Sequence, residues 1–174
     1  MKDYNPEKIR QLLSEILKKE KACMKHPIAS VIKVDKEDRN NILRRYVRGW
    51  NGAPSGIDHY ICLRKGYASG QGMENCPTIH AERRAISRAG RDGLALYGGT
   101  IYLSEWFPCA DCAKSIIEAG IKRLVTPDEF YQDKEKHILA ADLQNKPYNF
   151  ELAEKLMRES GIEMIVDKSI GFNH

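Results

Sequence analysis

"PTIHAERRAI" (residues 77–86) places a histidine two positions before a glutamate, at the start of a predicted helix. A second segment, "FPCADC" (residues 107–112), places two cysteines around a two-residue spacer. It follows a predicted strand, "TIYLS" (residues 100–104), and opens another predicted helix. Because both segments put metal-ligating residue types at the start of a helix, they predict a fold that brings the two helix starts together.

The metal-ligating residues in these segments are His80, Cys109 and Cys112. Zinc prefers imidazole nitrogen and thiolate sulfur in a tetrahedron, and catalytic sites use three protein ligands and leave the fourth position open. The spacer between the cysteines lets both sulfurs face one ion, and a helix beginning at Cys109 would favour thiolates there. The pattern therefore predicts a catalytic Zn²⁺ site.

Glu82 gives the site its predicted chemistry. A zinc ion brings the pKa of a bound water to about 7. A carboxylate beside that water can take its proton and pass it to a leaving group, and positioned proton transfer contributes typically about 10²–10⁴-fold. We therefore expect Glu82 to be the catalytic proton carrier.

Two other interpretations of the cysteine pair stay open at this point. Cys-x-x-Cys also occurs in redox-active proteins, although the surrounding sequence lacks the usual redox context. A structural zinc site would need a fourth ligand, for which Cys76 and Cys62 are the candidates.

Working outward from the two segments, helical and strand patterns alternate along the chain. Asn5-Pro6 predicts the start of an amphipathic helix over about residues 6–22. Long crossovers between the later strands allow parallel pairing, so the order predicts an α/β fold with one mixed sheet and helices on both faces. The predicted strands are 28–34, 42–50, 100–104, 121–126 and 162–166. The predicted helices after the first are 79–90, ended by Gly90, 109–119, stopped by Gly120, a short one near 134–142, and about 150–160, ended by Gly161.

Composition bounds the class of protein. The chain has 174 residues, which fits one domain (1–174) with a zinc-site core over about 28–166. A net charge of +4 is too small to indicate nucleic acid. "MKDYNPEKIR" (residues 1–10) has no apolar run, and no stretch approaches the roughly 20 apolar residues of a membrane span. With five cysteines and no disulfide-scaffold spacing, we expect a cytoplasmic protein without membrane partners.

Beyond these patterns, the chain resembles the zinc-dependent cytidine/deoxycytidylate deaminase superfamily, and within it the dCMP deaminases. His-x-Glu followed by Pro-Cys-x-x-Cys is the signature of zinc nucleobase deaminases. The resemblance implies a cytidine deaminase-like three-layer α/β/α sandwich around a mixed, about five-stranded sheet. It rests on "CMKHPIASVIKV" (23–34), "GWNGAPSG" (49–56), "IHAERRAI" (79–86), "GGTIYLSEWFPCADCAKSIIEAGIKRLV" (98–125) and "LMRESGIEMIV" (156–166).

The resemblance also implies an activity and a set of substrate contacts. It implies hydrolytic deamination of a free pyrimidine nucleotide, dCMP to dUMP plus ammonia, by a homo-oligomer that does not act on nucleic acid. Asn51 would contact the sugar or base, and the backbone of Ala81 would meet the pyrimidine edge. A nucleoside, a modified cytosine nucleotide or a base in transfer RNA are alternative substrates.

The sequence departs from the family pattern near the site. Arg84 stands where the family commonly has asparagine, and "LSEWF" is one residue longer than usual. The longer segment adds Trp106 and Phe107 beside the metal, where we expect them to form an altered cleft wall that contacts the substrate. Arg83, Arg84 and the Lys25-His26 pair are candidate phosphate contacts, and Trp50 is a candidate for stacking on a base.

Overall fold

A computed structural model describes residues 4–34, 46–58, 61–67, 71–127 and 148–172. Within these residues, five strands form one sheet with helices on both faces. In chain order the elements are α1 (Pro6–Lys19), β1 (Ala29–Lys33), β2 (Tyr46–Trp50), a 3₁₀ turn (Met73–Asn75), α2 (Ala81–Arg91), β3 (Thr100–Leu103), α3 (Ala110–Glu118), β4 (Arg123–Thr126), α4 (Phe150–Glu159), β5 (Glu163–Val166) and a second 3₁₀ turn (Lys168–Ile170).

The sheet is mixed, as the sequence predicts. Its strand order is β2-β1-β3-β4-β5. β1 pairs antiparallel with both β2 and β3, whereas β4 pairs parallel with both β3 and β5. The crossovers that contain α3 and α4 make the parallel connections, which confirms the predicted α/β class.

Helix α1 covers one face of the sheet. Asn5 caps it by accepting a hydrogen bond from the Lys8 backbone, and Pro6 occupies the first turn, as predicted. Its buried stripe, Ile9, Leu13 and Ile16, packs into a cluster with side chains of β1 and β3. The prediction that it extends to about residue 22 is wrong: it ends at Lys19, because no apolar side chain extends the stripe and the Cys23 amide bonds to the Asn51 carbonyl instead, at 2.6 Å.

Helices α2, α3 and α4 cover the opposite face and share the larger core cluster. α2 lies very close to β2 at Gly49, where an added Cβ would be 2.2 Å from the Ala81 carbonyl oxygen. The sequence predicts that Gly90 ends α2, but the helix continues to Arg91. Gly93 supplies the left-handed residue beyond the end, with φ of +68°, which glycine adopts without a steric penalty. The predicted stops of α3 and α4 at Gly120 and Gly161 are confirmed.

Two predicted elements lie outside the described residues: the short helix near 134–142 and the first part of the second strand, 42–45. The single-domain organisation stays a prediction. No helix in the described part of the chain is long and apolar enough to cross a bilayer.

Candidate active site

The starts of α2 and α3 lie close together on the face of the sheet that α2, α3 and α4 cover. His80 is the N-cap residue of α2, Cys109 is the N-cap residue of α3, and Cys112 lies in the first turn of α3. The sequence prediction that α3 begins at Cys109 is therefore shifted by one residue. The His80 Nδ1 atom lies 3.5 Å from Cys109 Sγ and 3.4 Å from Cys112 Sγ. All three potential ligand atoms lie within 4.8 Å of one another.

This donor set fits a zinc ion. Tetrahedral zinc, with bonds of about 2.0 Å to nitrogen and about 2.3 Å to sulfur, would separate nitrogen and sulfur ligands by roughly 3.5 Å. The observed separations of 3.4 and 3.5 Å are close to that value. Both cysteines are free and buried, so the three side chains can enclose an ion without rearranging a disulfide.

The two sulfurs are electrostatically unequal. A hydrogen bond with the Cys112 thiol lowers the pKa of Cys109 to about 4, and the same bond raises the pKa of Cys112 above its ordinary value. A hydrogen bond with Cys109 also raises the pKa of His80. The proton shared by the cysteine pair must leave before both sulfurs can act as thiolate ligands.

The structure gives no fourth ligand among the described residues. The group of candidate ligands contains only His80, Cys109 and Cys112. Cys76 lines the adjoining cleft, but its sulfur is 3.1 Å from the Thr78 hydroxyl and lies outside that group. A structural four-ligand site is therefore not formed by the residues that the structure describes.

Glu82 lies in the first turn of α2, beside the three ligands, and only 6% of its surface is exposed. Burial raises the pKa of its carboxyl, and the neighbouring charge of His80 opposes part of that rise. A buried carboxyl with a raised pKa is a stronger base than an exposed glutamate, which suits a group that takes up a proton and passes it on.

All four predicted substrate contacts line one cleft together with His80 and Glu82. Asn51 is buried and joins two backbone segments: its Oδ1 accepts from the Ile28 amide at 2.7 Å, and its Nδ2 donates to the His26 carbonyl at 2.6 Å. Ala81 is fully buried, and its carbonyl accepts a hydrogen bond from the Ser30 hydroxyl at 2.9 Å.

Trp106 and Phe107 form part of an aromatic wall. Trp106 adopts a φ of +64°, which is uncommon for a bulky residue. Its ring lies 5.9 Å from Tyr148, 6.4 Å from Phe150 and 5.6 Å from His26, measured between ring centroids. Phe107 is buried and also belongs to the core cluster. The longer "LSEWF" segment thus places an extra aromatic side chain against the cleft.

Arg84 has a structural role in place of the predicted phosphate contact. It is buried, and it donates hydrogen bonds to the backbone carbonyls of Trp50 at 2.7 Å and of Gly52 and Ala53 at 2.6 Å each. Its guanidinium also lies 4.6 Å from the centre of the Trp50 ring. Arg84 therefore holds the loop that carries Asn51, whereas Trp50 packs against arginine and does not line the cleft.

Arg64 and Tyr148 are among the residues of the cleft that were not singled out from the sequence. Arg64 falls in a segment without clear periodicity, and Tyr148 ends a long polar segment, so neither had a local signal. Of the predicted phosphate candidates, Lys25 and His26 line the cleft, whereas Arg83 is exposed on α2.

A three-ligand nitrogen–sulfur site beside a buried carboxylate, on a three-layer α/β/α fold, defines a zinc-dependent hydrolytic enzyme. Comparison with known protein families shows which family of zinc enzymes this chain belongs to. Residues 4–127 match the family model described as the cytidine and deoxycytidylate deaminase zinc-binding region. The chain therefore belongs to this family of zinc-binding deaminases, which are hydrolases acting on C–N bonds.

Several curated proteins are similar in sequence. ComE operon protein 2 of Bacillus subtilis is 31% identical over 163 residues, which are 88% of this chain and 71% of that protein. The deoxycytidylate deaminase of Enterobacteria phage T4 is 34% identical over 77 residues, covering 44% of this chain and 39% of the phage protein. The chain thus spans less than half of the phage enzyme that it matches.

Solved structures confirm the fold. The dCMP deaminase of cyanophage S-TIM5 in apo form superimposes with a TM-score of 0.63 at 18% identity, covering 96% of this chain and all (100%) of that chain. The same enzyme in complex with dCMP and dUMP superimposes with a TM-score of 0.62. At this identity the likeness establishes the cytidine deaminase-like fold alone.

Proposed function

We propose that this protein hydrolyses the free nucleotide dCMP to dUMP and ammonia. The observation that carries the proposal is the convergence of His80, Cys109 and Cys112 beside the buried carboxyl of Glu82. Curated relatives named deoxycytidylate deaminase and a similar fold solved with dCMP and dUMP support the choice of substrate.

The reaction replaces the exocyclic amine at C4 of cytosine with oxygen from water: a C4–O bond forms, the C4–N bond breaks, and ammonia leaves. Zinc held by His80, Cys109 and Cys112 would lower the pKa of a water molecule and so supply the nucleophile. Glu82 takes a proton from that water and delivers it to the departing exocyclic nitrogen. Its burial helps the proton uptake, because the raised pKa makes the ionised carboxyl a stronger base than an exposed glutamate.

The residues that line the cleft would orient the base. After its two backbone hydrogen bonds, the Asn51 amide keeps one hydrogen and one carbonyl lone pair for the sugar or base. The backbone of Ala81 lies between His80 and Glu82 and would meet the pyrimidine edge. Trp106 and Phe107 would pack against the base, since aromatic side chains stack on nucleobases with about 1–3 kcal/mol per base.

The finer expectations from the sequence are part of the proposal. We expect a homo-oligomer in the cytoplasm that acts on a small molecule and not on nucleic acid. Sedimentation velocity measures the number of subunits. Binding to transfer RNA that weakened steeply with salt would contradict the small-molecule assignment, because that dependence reports phosphate contacts along a polymer.

The direct test is ammonia release from dCMP, CMP, dCTP, deoxycytidine, cytosine and 5-substituted cytosine nucleotides. We expect the highest kcat/KM with dCMP. No activity on dCMP together with clear activity on another of these compounds would overturn the substrate and leave the zinc chemistry in place.

The role of Glu82 is tested with Glu82→Gln, which removes the proton carrier and preserves side-chain size. We expect retained zinc and a fall in kcat of about 10²–10⁴-fold. Glu118→Gln, at the exposed end of α3, is the matched control and should be unchanged. Unchanged turnover in Glu82→Gln would refute the assigned role.

A further inference from the structure

Arg64 is an arginine buried at the active-site cleft. It lies in the loop before the first 3₁₀ turn, and only 7% of its surface is exposed. Its side chain lines the same cleft as His80 and Glu82. Arginine is almost never so deeply buried unless it is paired, since removing a guanidinium from water is costly.

The contacts of Arg64 within the described residues are with groups other than carboxylates. Its Nε donates to the Gln71 backbone carbonyl at 2.7 Å. The guanidinium also lies close enough to the Cys76 thiol and the Tyr148 hydroxyl to exert a lowering effect on the pKa of each group. No aspartate or glutamate among the residues that the structure describes forms an ion pair with it.

The described groups around Arg64 therefore compensate its charge only in part. Burial raises the pKa of the Cys76 thiol, but hydrogen bonds with Thr78 and Arg64 outweigh that effect and lower it overall. Burial raises the pKa of Tyr148, so its hydroxyl stays neutral. A guanidinium has five N–H donors, and three contacts leave at least two of them for a ligand.

The proposed substrate carries one anionic group. Cytosine and deoxyribose are neutral at neutral pH, whereas the phosphate monoester is ionised and offers oxygens that match the planar fork of arginine. Lys25 adds a second cationic side chain to the cleft lining and donates to the Tyr67 carbonyl. The other arginines considered for this role are placed differently: Arg84 binds backbone carbonyls and Arg83 is exposed.

We propose that Arg64 binds the phosphate of the nucleotide substrate and thereby makes the enzyme select nucleoside monophosphates over nucleosides. The inference rests on the proposed function, because it concerns the same cleft. A nucleoside would leave the Arg64 guanidinium buried without an anion, whereas a monophosphate would neutralise it and use its free donors.

The test compares dCMP with deoxycytidine in the wild type, Arg64→Gln and Arg64→Lys. A lost hydrogen bond to a charged group corresponds to about 10- to 100-fold, so kcat/KM for dCMP should fall by about that factor in Arg64→Gln. The value for deoxycytidine should stay within about 3-fold, and Arg64→Lys should lie between wild type and Arg64→Gln. Arg91→Gln, an exposed arginine at the end of α2, is the control and should leave both values unchanged.

A binding measurement complements the kinetics. Calorimetry with dUMP and deoxyuridine should give a tighter Kd for dUMP by at least about 10-fold in the wild type, and this difference should disappear in Arg64→Gln. If the variants fail to fold, the wild-type comparison, with inorganic phosphate as competitor, decides alone: competition supports the subsite, and equal binding of dUMP and deoxyuridine overturns it.

The two proposals fail differently. Equal losses on dCMP and deoxycytidine in Arg64→Gln would mean a structural role for Arg64 and would overturn the phosphate subsite. Wild-type enzyme with similar kcat/KM for both compounds would do the same while leaving the deaminase chemistry intact. No activity on any cytosine compound would refute the proposed function itself.

Discussion

The contact between Gly49 and helix α2 links the fold to the active site and predicts the effect of one methyl group. In Gly49→Ala the new Cβ would lie 2.2 Å from the Ala81 carbonyl oxygen, 2.6 Å from the Ser30 hydroxyl and 2.8 Å from the Ala85 amide. Ordinary van der Waals contact begins at 3.4 Å and the Ala81 oxygen would be at 2.2 Å, so the start of α2 must move about 1.2 Å away from β2. That start carries His80 and Glu82.

The size of the effect follows from this displacement. Overpacking a well-packed interior costs typically about 1–3 kcal/mol, and a misplacement of about 1 Å at a reacting group can cost about 10²-fold in rate. We expect Gly49→Ala to lower the melting temperature by about 2–12 °C, at about 2–4 °C per kcal/mol for a chain of this size. The kcat should fall by at least about 10-fold.

Differential scanning calorimetry and steady-state kinetics measure the two effects. Gly90→Ala is the matched control, since a Cβ at Gly90 meets nothing within 4 Å and the residue lies inside α2. It should stabilise the protein by about 0.5–1 kcal/mol through helix propensity and leave kcat unchanged. Wild-type stability and activity in Gly49→Ala would refute the inference that close packing against β2 positions the start of α2.

Two further predictions concern the loop that carries Asn51 and the metal ligands. Arg84→Ala should lower the free energy of unfolding by about 2–4 kcal/mol, because three backbone carbonyls lose a charged donor. Urea titration measures this change, and the control Arg91→Ala should stay within about 0.5 kcal/mol of the wild type. Equal effects of the two substitutions would contradict the structural role of Arg84. Zinc affinity should rise with pH by at least about tenfold per unit near neutrality, because the raised pKa of Cys112 keeps a proton that zinc must displace. Competition with a chelator at about pH 6.5 and about pH 7.5 measures this slope, and a flat response would count against the shared proton.

The parts of the molecule that the sequence predicts well depend on local patterns. Helix α1 follows from the Asn5 cap, Pro6 and its apolar stripe, because these act within a few residues. The metal ligands follow from two short motifs, each at a helix start. Although His80 lies 29 residues from Cys109 and 32 from Cys112 along the chain, the residue types at the two helix starts were enough to predict a shared zinc site, and the family resemblance agrees with it.

The parts that the sequence does not predict depend on distant contacts. Arg84 binds carbonyls 31 to 34 residues away, so its contacts with the backbone form only when β2 and α2 pack together, and the sequence suggested a phosphate contact instead. Tyr148 meets Met73 at 75 residues' separation. Gly90 was expected to end α2, but glycine inside a helix costs only about 1 kcal/mol, and packing of α2 on the sheet outweighs it.

The central claim is that this chain holds one zinc ion through one imidazole nitrogen and two thiolate sulfurs, with a fourth position left for a small molecule. Zinc-edge X-ray absorption on the purified protein measures this coordination directly. We expect one zinc per chain, with two sulfur neighbours at about 2.3 Å and nitrogen or oxygen neighbours at about 2.0 Å. We also expect Cys112→Ser to lose the metal. Three or four sulfur neighbours, or full zinc occupancy in Cys112→Ser, would contradict it.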